Sequence, residues 1–101
     1  MQIDVLYFDG CPNHEPALDL VRAVLEELGV DAALNEVEIK SLDDVSRLEF
    51  LGSPTIRVDG LDIEPSRRND VNYAMSCRRY GSSGVPPREL LIDALSGRGN
   101  T

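Results

Sequence analysis

Gly52-Ser53-Pro54-Thr55-Ile56-Arg57-Val58-Asp59-Gly60 is the stretch from which the rest of the chain can be ordered. Residues 55–58 and 61–63 are short β-prone runs. Between them lies Asp59-Gly60, the kind of dipeptide favoured where both central residues of a tight turn need positive φ. The spacing predicts a two-stranded hairpin with a proline at its entrance. Taken from the residues alone, Pro54 opens an edge strand, where a missing N–H does no harm, and its peptide bond is trans.

Working outward toward the N-terminus, residues 2–8 place Ile3, Val5 and Tyr7 on one face and Leu6 and Phe8 on the other. A strand apolar on both faces belongs in the middle of a sheet. Asp9-Gly10-Cys11-Pro12-Asn13 is then a turn. Leu18, Val21, Leu25 and Leu28 follow at helical spacing, with Gly29 as the stop. Pro16 has no N–H to give to a helix capped at Cys11, so Asn13 is the better cap. Cys11 is thereby expected in the turn just before the helix, within reach of its free N–H groups and the positive end of its dipole.

Residues 30–39 alternate partially and read as a second strand nearer the sheet edge. Ser41-Leu42-Asp43-Asp44 opens a short helix with Val45, Leu48 and Leu51 on one face and Gly52 as its end. Beyond the hairpin, residues 64–86 form a long connection. A last helix follows Pro86-Pro87, carries Leu90, Leu91, Ala94 and Leu95, and stops at Gly97, leaving 98–101 as a flexible tail. The order strand, helix, strand, helix, two-stranded hairpin, helix describes an α/β fold. Its first two strands are parallel, joined by the crossover helix.

Composition narrows the function classes. A chain of 101 residues, 42% hydrophobic and 28% charged, fits one globular domain over residues 1–97. Neither a basic-then-apolar leader nor a membrane-length apolar run is present, which predicts a cytoplasmic protein without a membrane partner. Two distant cysteines do not make a disulfide framework and point to reactivity or metal binding. The net charge of −8 argues against nucleic acid. It is unevenly spread: residues 1–66 carry 15 acidic and 4 basic side chains, residues 67–101 carry 3 and 6.

Two patterns, placed on this order of elements, resemble the thioredoxin-like superfamily. Cys11 stands after the first strand and before the first helix, where that family keeps its nucleophile. Gly52-Ser53-Pro54-Thr55 through Val58-Asp59-Gly60 is similar to the stretch around the family's cis-proline. The resemblance covers residues 1–63 and the last helix. It implies a three-layer β-α-β-α-β-β-α sandwich on a four-stranded mixed sheet, and a cis bond before Pro54 that leaves the Ser53 backbone free to pair with an extended thiol substrate. It further implies a thiol–disulfide oxidoreductase acting on a small-molecule or protein thiol or disulfide, with no bound cofactor. The usual Cys-x-x-Cys is here Cys11-Pro12-Asn13-His14, so a dithiol cycle within the motif is impossible. Glutathione as co-substrate, or Cys77, must resolve the mixed disulfide.

His14 is a candidate partner for the Cys11 thiolate, and equally a solvated first-turn residue. Cys77 is flanked by Arg78 and Arg79, cations that would favour its thiolate, and in glutaredoxin-like domains the corresponding segment passes near the active-site rim. The expected catalytic residues are therefore Cys11, His14 and Cys77. Ser53, Pro54, Thr55, Arg78 and Arg79 are the expected substrate contacts. Arg67, Arg68, Arg78 and Arg79 could bind a carboxylate or oxyanion, or simply balance an acidic body. An arsenate reductase would carry arginine four positions after its cysteine, where this chain has Glu15. Two alternatives stand beside the redox reading. One is a soft-metal or metalloid binder using Cys11 and Cys77 for mercury, copper(I) or arsenite; the other is a thioredoxin-like binding module without turnover.

Overall fold

Ile3, Val5 and Leu6 exclude solvent almost completely, and the strand that carries them, β1 (Gln2–Tyr7), lies inside a four-stranded sheet. The computed structural model describes residues 1–96, so the helix stop expected at Gly97 and the tail at 98–101 fall outside the described residues. The other elements are α1 (His14–Leu28), β2 (Ala33–Glu38), α2 (Leu42–Arg47), β3 (Thr55–Val58), β4 (Leu61–Asp62) and α3 (Arg88–Leu95), with a 3-10 turn at Pro65–Arg67. The sheet order is β2-β1-β3-β4. β1 runs parallel to β2, with Leu6 opposite Val37, and antiparallel to β3, with Leu6 opposite Thr55; β4 returns antiparallel to β3.

The alternation of β1 divides the interior in two. Ile3 and Val5 join Ile56 and Val58 of β3 and pack against α1 (Ala17, Leu18, Val21, Val24) and α3 (Leu91, Ala94, Leu95). Leu6 faces the other way, onto Ile39, Val45 and the fully buried Phe50, under α2. Helices therefore cover both faces of the sheet, and each buried Leu, Ile or Phe side chain contributes about 1.5–3 kcal/mol. No helix among the described residues is long and apolar enough to cross a membrane.

The local signals read in the sequence account for most boundaries. Asn13 is the N-cap of α1, and Asn13 O accepts from Ala17 N, one residue beyond the N–H that Pro16 lacks. Gly29 ends the helix at φ 65. The Ser41 hydroxyl caps α2 by accepting from Asp44 N, while the Asp44 carboxylate reaches back to Lys40 N. These hydrogen bonds, led by the Lys40 N–H and helped by Arg47, hold Asp44 below the usual carboxylate range. Asp59 and Gly60 both take positive φ at the hairpin turn.

Several boundaries differ from expectation, β4 among them, which ends at Asp62 instead of Ile63. β1 ends at Tyr7 instead of Phe8. β2 is confined to Ala33–Glu38 because Val30 N is still bonded to Leu25 O at the helix end, and pairing resumes only with Ala33 N on Met1 O. α2 stops at Arg47, well before Gly52: Glu49 turns left-handed at φ 54 and Phe50 N bonds Val45 O, which swings Phe50 into the core. Gly52 then serves another purpose. At φ 110 it lies against residues 76–78, and a Cβ there would come 3.1 Å from both Arg78 Cβ and Ser76 O.

Gly52→Ala combines a left-handed backbone with displacement of that neighbouring chain and is expected to cost about 2–4 kcal/mol in urea unfolding. Gly60→Ala, whose Cβ would meet open space, should cost only about 1 kcal/mol. Equal losses in the two variants would contradict the close approach.

Candidate functional site

Cys11 occupies the turn that delivers β1 into α1. Its N–H donates to Phe8 O and its carbonyl accepts from His14 N, so Cys11-Pro12-Asn13-His14 is a closed turn, and the cysteine is half-buried. The Asn13 side chain is held from the far end of the chain. Gly84, in the long connection, lies so close that a Cβ there would overlap the Asn13 amide.

The Ser53–Pro54 bond is cis, in agreement with the resemblance and against the reading from residues alone. The Ser53 backbone, expected to be free, is already occupied. Ser53 N donates to Ser76 O at 2.8 Å and Arg78 N donates to Ser53 O at 2.9 Å, so Cys77 forms a parallel bridge with Ser53. Ala74 N bonds Phe50 O on one side of this bridge, and Tyr80 OH donates to Pro54 O at 2.6 Å on the other. Residues 74–80 thus form a strap laid along the chain that enters β3. Cys77 is exposed on it, beside the proline loop. Ser53 Oγ is buried with no hydrogen-bond partner among the described residues.

Arg78 fastens the strap. Expected to contact substrate, it is 2% exposed and lies inside the protein. Its Nη atoms donate to both oxygens of Asp62 at 2.7 and 2.8 Å and to Glu64 at 2.7 Å, and Nη1 also reaches Thr55 Oγ1. The guanidinium lies 4.6 Å from the centre of the Tyr80 ring. Burial works against its charge, but the hydrogen bonds and negative charge of Asp62 and Glu64 outweigh that, and its pKa is raised. Thr55 is likewise turned inward, its hydroxyl donating to Gly52 O. Arg79 is exposed and donates to Ser82 O.

The His14 ring is engaged by Tyr7 and Glu36. It stacks on Tyr7 with centroids 3.5 Å apart, and Nε2 lies 3.0 Å from Glu36 Oε1. With Glu15 and Glu36 it forms a group, found among the described residues, whose potential ligand atoms lie within 4.8 Å of one another, close enough to hold a metal ion and with no sulfur included. Carboxylates crowd this end of the sheet. The Tyr7 phenol is pushed up first by burial and then by the charges of Glu38, Glu36, Asp9 and Glu15.

A small open cleft lies beneath the connection, where Glu49, Arg57, Arg67, Arg68 and Tyr73 meet. Its arginines are engaged: Arg57 with Glu49 O, Arg67 with Asp70, and Arg68 with Asp62 O. Asp70 is held below the carboxylate range by the Asn72 N–H and by Arg67. Comparison with protein-family models, with curated proteins and with solved structures gives no match.

Asp62, Glu64 and Tyr80 escaped the reading of the sequence. The signal was present in Asp62, a carboxylate between β-prone Leu61 and Ile63 that cannot be buried without a cation. Burial raises the Tyr80 phenol above the ordinary tyrosine range, helped by the Asp62 and Glu64 charges against Arg78. A raised folded pKa favours the native state fully below the unfolded value of about 10, and that contribution is lost as pH rises beyond it. Urea midpoints should therefore fall above about pH 10. Tyr80→Phe should start about 1–1.5 kcal/mol lower at neutral pH and show a flatter alkaline limb. An unchanged alkaline slope would refute the assignment to Tyr80.

Proposed function

We propose that this chain is a thioredoxin-like thiol–disulfide exchange protein in which Cys11 attacks and Cys77 resolves. The observation that carries the reading is the bridge of Cys77 to Ser53, next to the proline loop, in a sheet of order β2-β1-β3-β4. Further support comes from the same connection touching Asn13 through Gly84, so that residues 77–84 run between the Ser53 loop and the Cys11 turn.

Chemically, the Cys11 thiolate attacks one sulfur of a substrate disulfide. The S–S bond breaks, one substrate thiolate leaves, and a mixed disulfide forms at Cys11. The Cys77 thiolate then attacks the Cys11 sulfur and expels the second substrate thiol. Two equivalents of a low-molecular-weight thiol, glutathione being one example, reduce the resulting Cys11–Cys77 disulfide and are oxidised to their own disulfide. The attacking sulfur belongs to the turn that leads into the N-terminus of α1. His14 acts through the turn, stacked on Tyr7 and paired with Glu36, and holds the helix start.

With hydroxyethyl disulfide as substrate and excess reduced glutathione, the native chain should exceed the uncatalysed rate by at least about tenfold, the effect of about 1.4 kcal/mol on the barrier. Cys11→Ser should fall to background, and Cys77→Ser treated with hydroxyethyl disulfide in the absence of glutathione should retain the mixed disulfide as an adduct visible by mass spectrometry. Equal rates for the native chain and Cys11→Ser would end the proposal.

A further inference from the structure

The strap that brings Cys77 to Ser53 also decides what can reach Cys11. An extended peptide gains affinity at a sheet edge by pairing its main chain with open N–H and C=O groups. Along the entrance to β3, Phe50 O, Ser53 N, Ser53 O and Pro54 O all have partners within 74–80. The strap cannot step aside locally, because Arg78 is bonded to Asp62 and Glu64 in the interior.

A second, independent observation concerns charge. The Cys11 turn is flanked by Asp9 two residues before it and Glu15 four after it. Glu36 holds His14, and Glu38 is paired in register with Tyr7. All four carboxylate residues are exposed. The cationic groups at this end of the sheet are His14, already facing Glu36, and the exposed Lys40, whose backbone N–H is bonded to the Asp44 carboxylate, so carboxylates outnumber them. An anionic reagent approaching Cys11 meets repulsion, and a cationic one is attracted.

Resting on the thiol-exchange reading above, we infer that the substrate of Cys11 is a compact low-molecular-weight disulfide, uncharged or cationic, and neither an extended polypeptide nor a polyanionic disulfide. Main-chain pairing is already supplied by the strap, and the acidic surroundings select for charge.

The test uses the full chain as Cys77→Ser, so that the adduct formed at Cys11 is retained, and measures the rate of mixed-disulfide formation by mass spectrometry. The probes are cystamine (cation), hydroxyethyl disulfide (neutral), dithiodipropionate (dianion) and an uncharged extended peptide disulfide, each normalised to its reaction with free mercaptoethanol thiolate. At about 0.01 M ionic strength cystamine should react about tenfold faster than dithiodipropionate, the two converging at about 1 M, where the screening length is about 3 Å. Glu15→Gln and Glu36→Gln should each narrow the gap. The peptide should react no faster than hydroxyethyl disulfide and leave the Ser53 and Arg78 amide resonances in place. An absent or inverted charge preference, or a faster peptide that shifts the Ser53 amide, overturns the inference. Turnover does not enter this measurement. A chain that shows the selectivity but catalyses nothing would lose the proposed function and keep the inference.

Discussion

The buried contact of Arg78 with Asp62 and Glu64 is the constraint on which the arrangement around Cys11 depends. Asp62 is the last residue of β4, on a side of the hairpin that would otherwise be a bare edge, and its carboxylate is sealed from solvent. An isolated charge there would be prohibitively costly, so a cation must come from elsewhere in the chain. The chain supplies it from the connection that follows the hairpin. Once Arg78 is seated, Cys77 is fixed beside Ser53 and Tyr80 reaches the Pro54 carbonyl. Removing Arg78 would leave Asp62 as an unpaired buried charge, a loss of about 3–5 kcal/mol.

Much of the architecture follows from short-range chemistry. The double-sided β1, the Asn13 cap, the Asp59-Gly60 turn and the helix after Pro86-Pro87 each rest on residues close in sequence, and each forms where those residues call for it. The end of α2 was not legible, because Glu49 takes a left-handed conformation in order to bury Phe50, a demand of the core that propensity does not carry. Arg78 was misplaced for a related reason. Its partners lie 14 and 16 residues upstream, and a basic pair in a polar loop looks like a solvated rim unless the buried carboxylate is noticed first.

The turn around Cys11 illustrates how a small domain assigns its few polar groups. His14 stacks on Tyr7 and pairs with Glu36, joining α1 to the first two strands. What remains near the cysteine is the backbone of the turn, the start of α1 and the chain that passes over Asn13 at Gly84. A Cβ at 84 would meet only the amide end of the Asn13 side chain, so a larger residue there would displace that side chain first. The cleft arginines, each already partnered, hold the connection to the hairpin from the other side.

The two rims of the sheet differ in kind. On β2 the outermost strand alternates exposed Asn35, Glu36 and Glu38 with half-buried Leu34 and Val37, and like charges on such a rim repel a second copy. On the opposite rim β4 is only two residues long, and past its end the strap takes over the hydrogen bonds that a neighbouring molecule would seek. The same segment that carries Cys77 therefore works against edge-to-edge aggregation. Loosening it would expose both a thiol and a sticky edge in a single event.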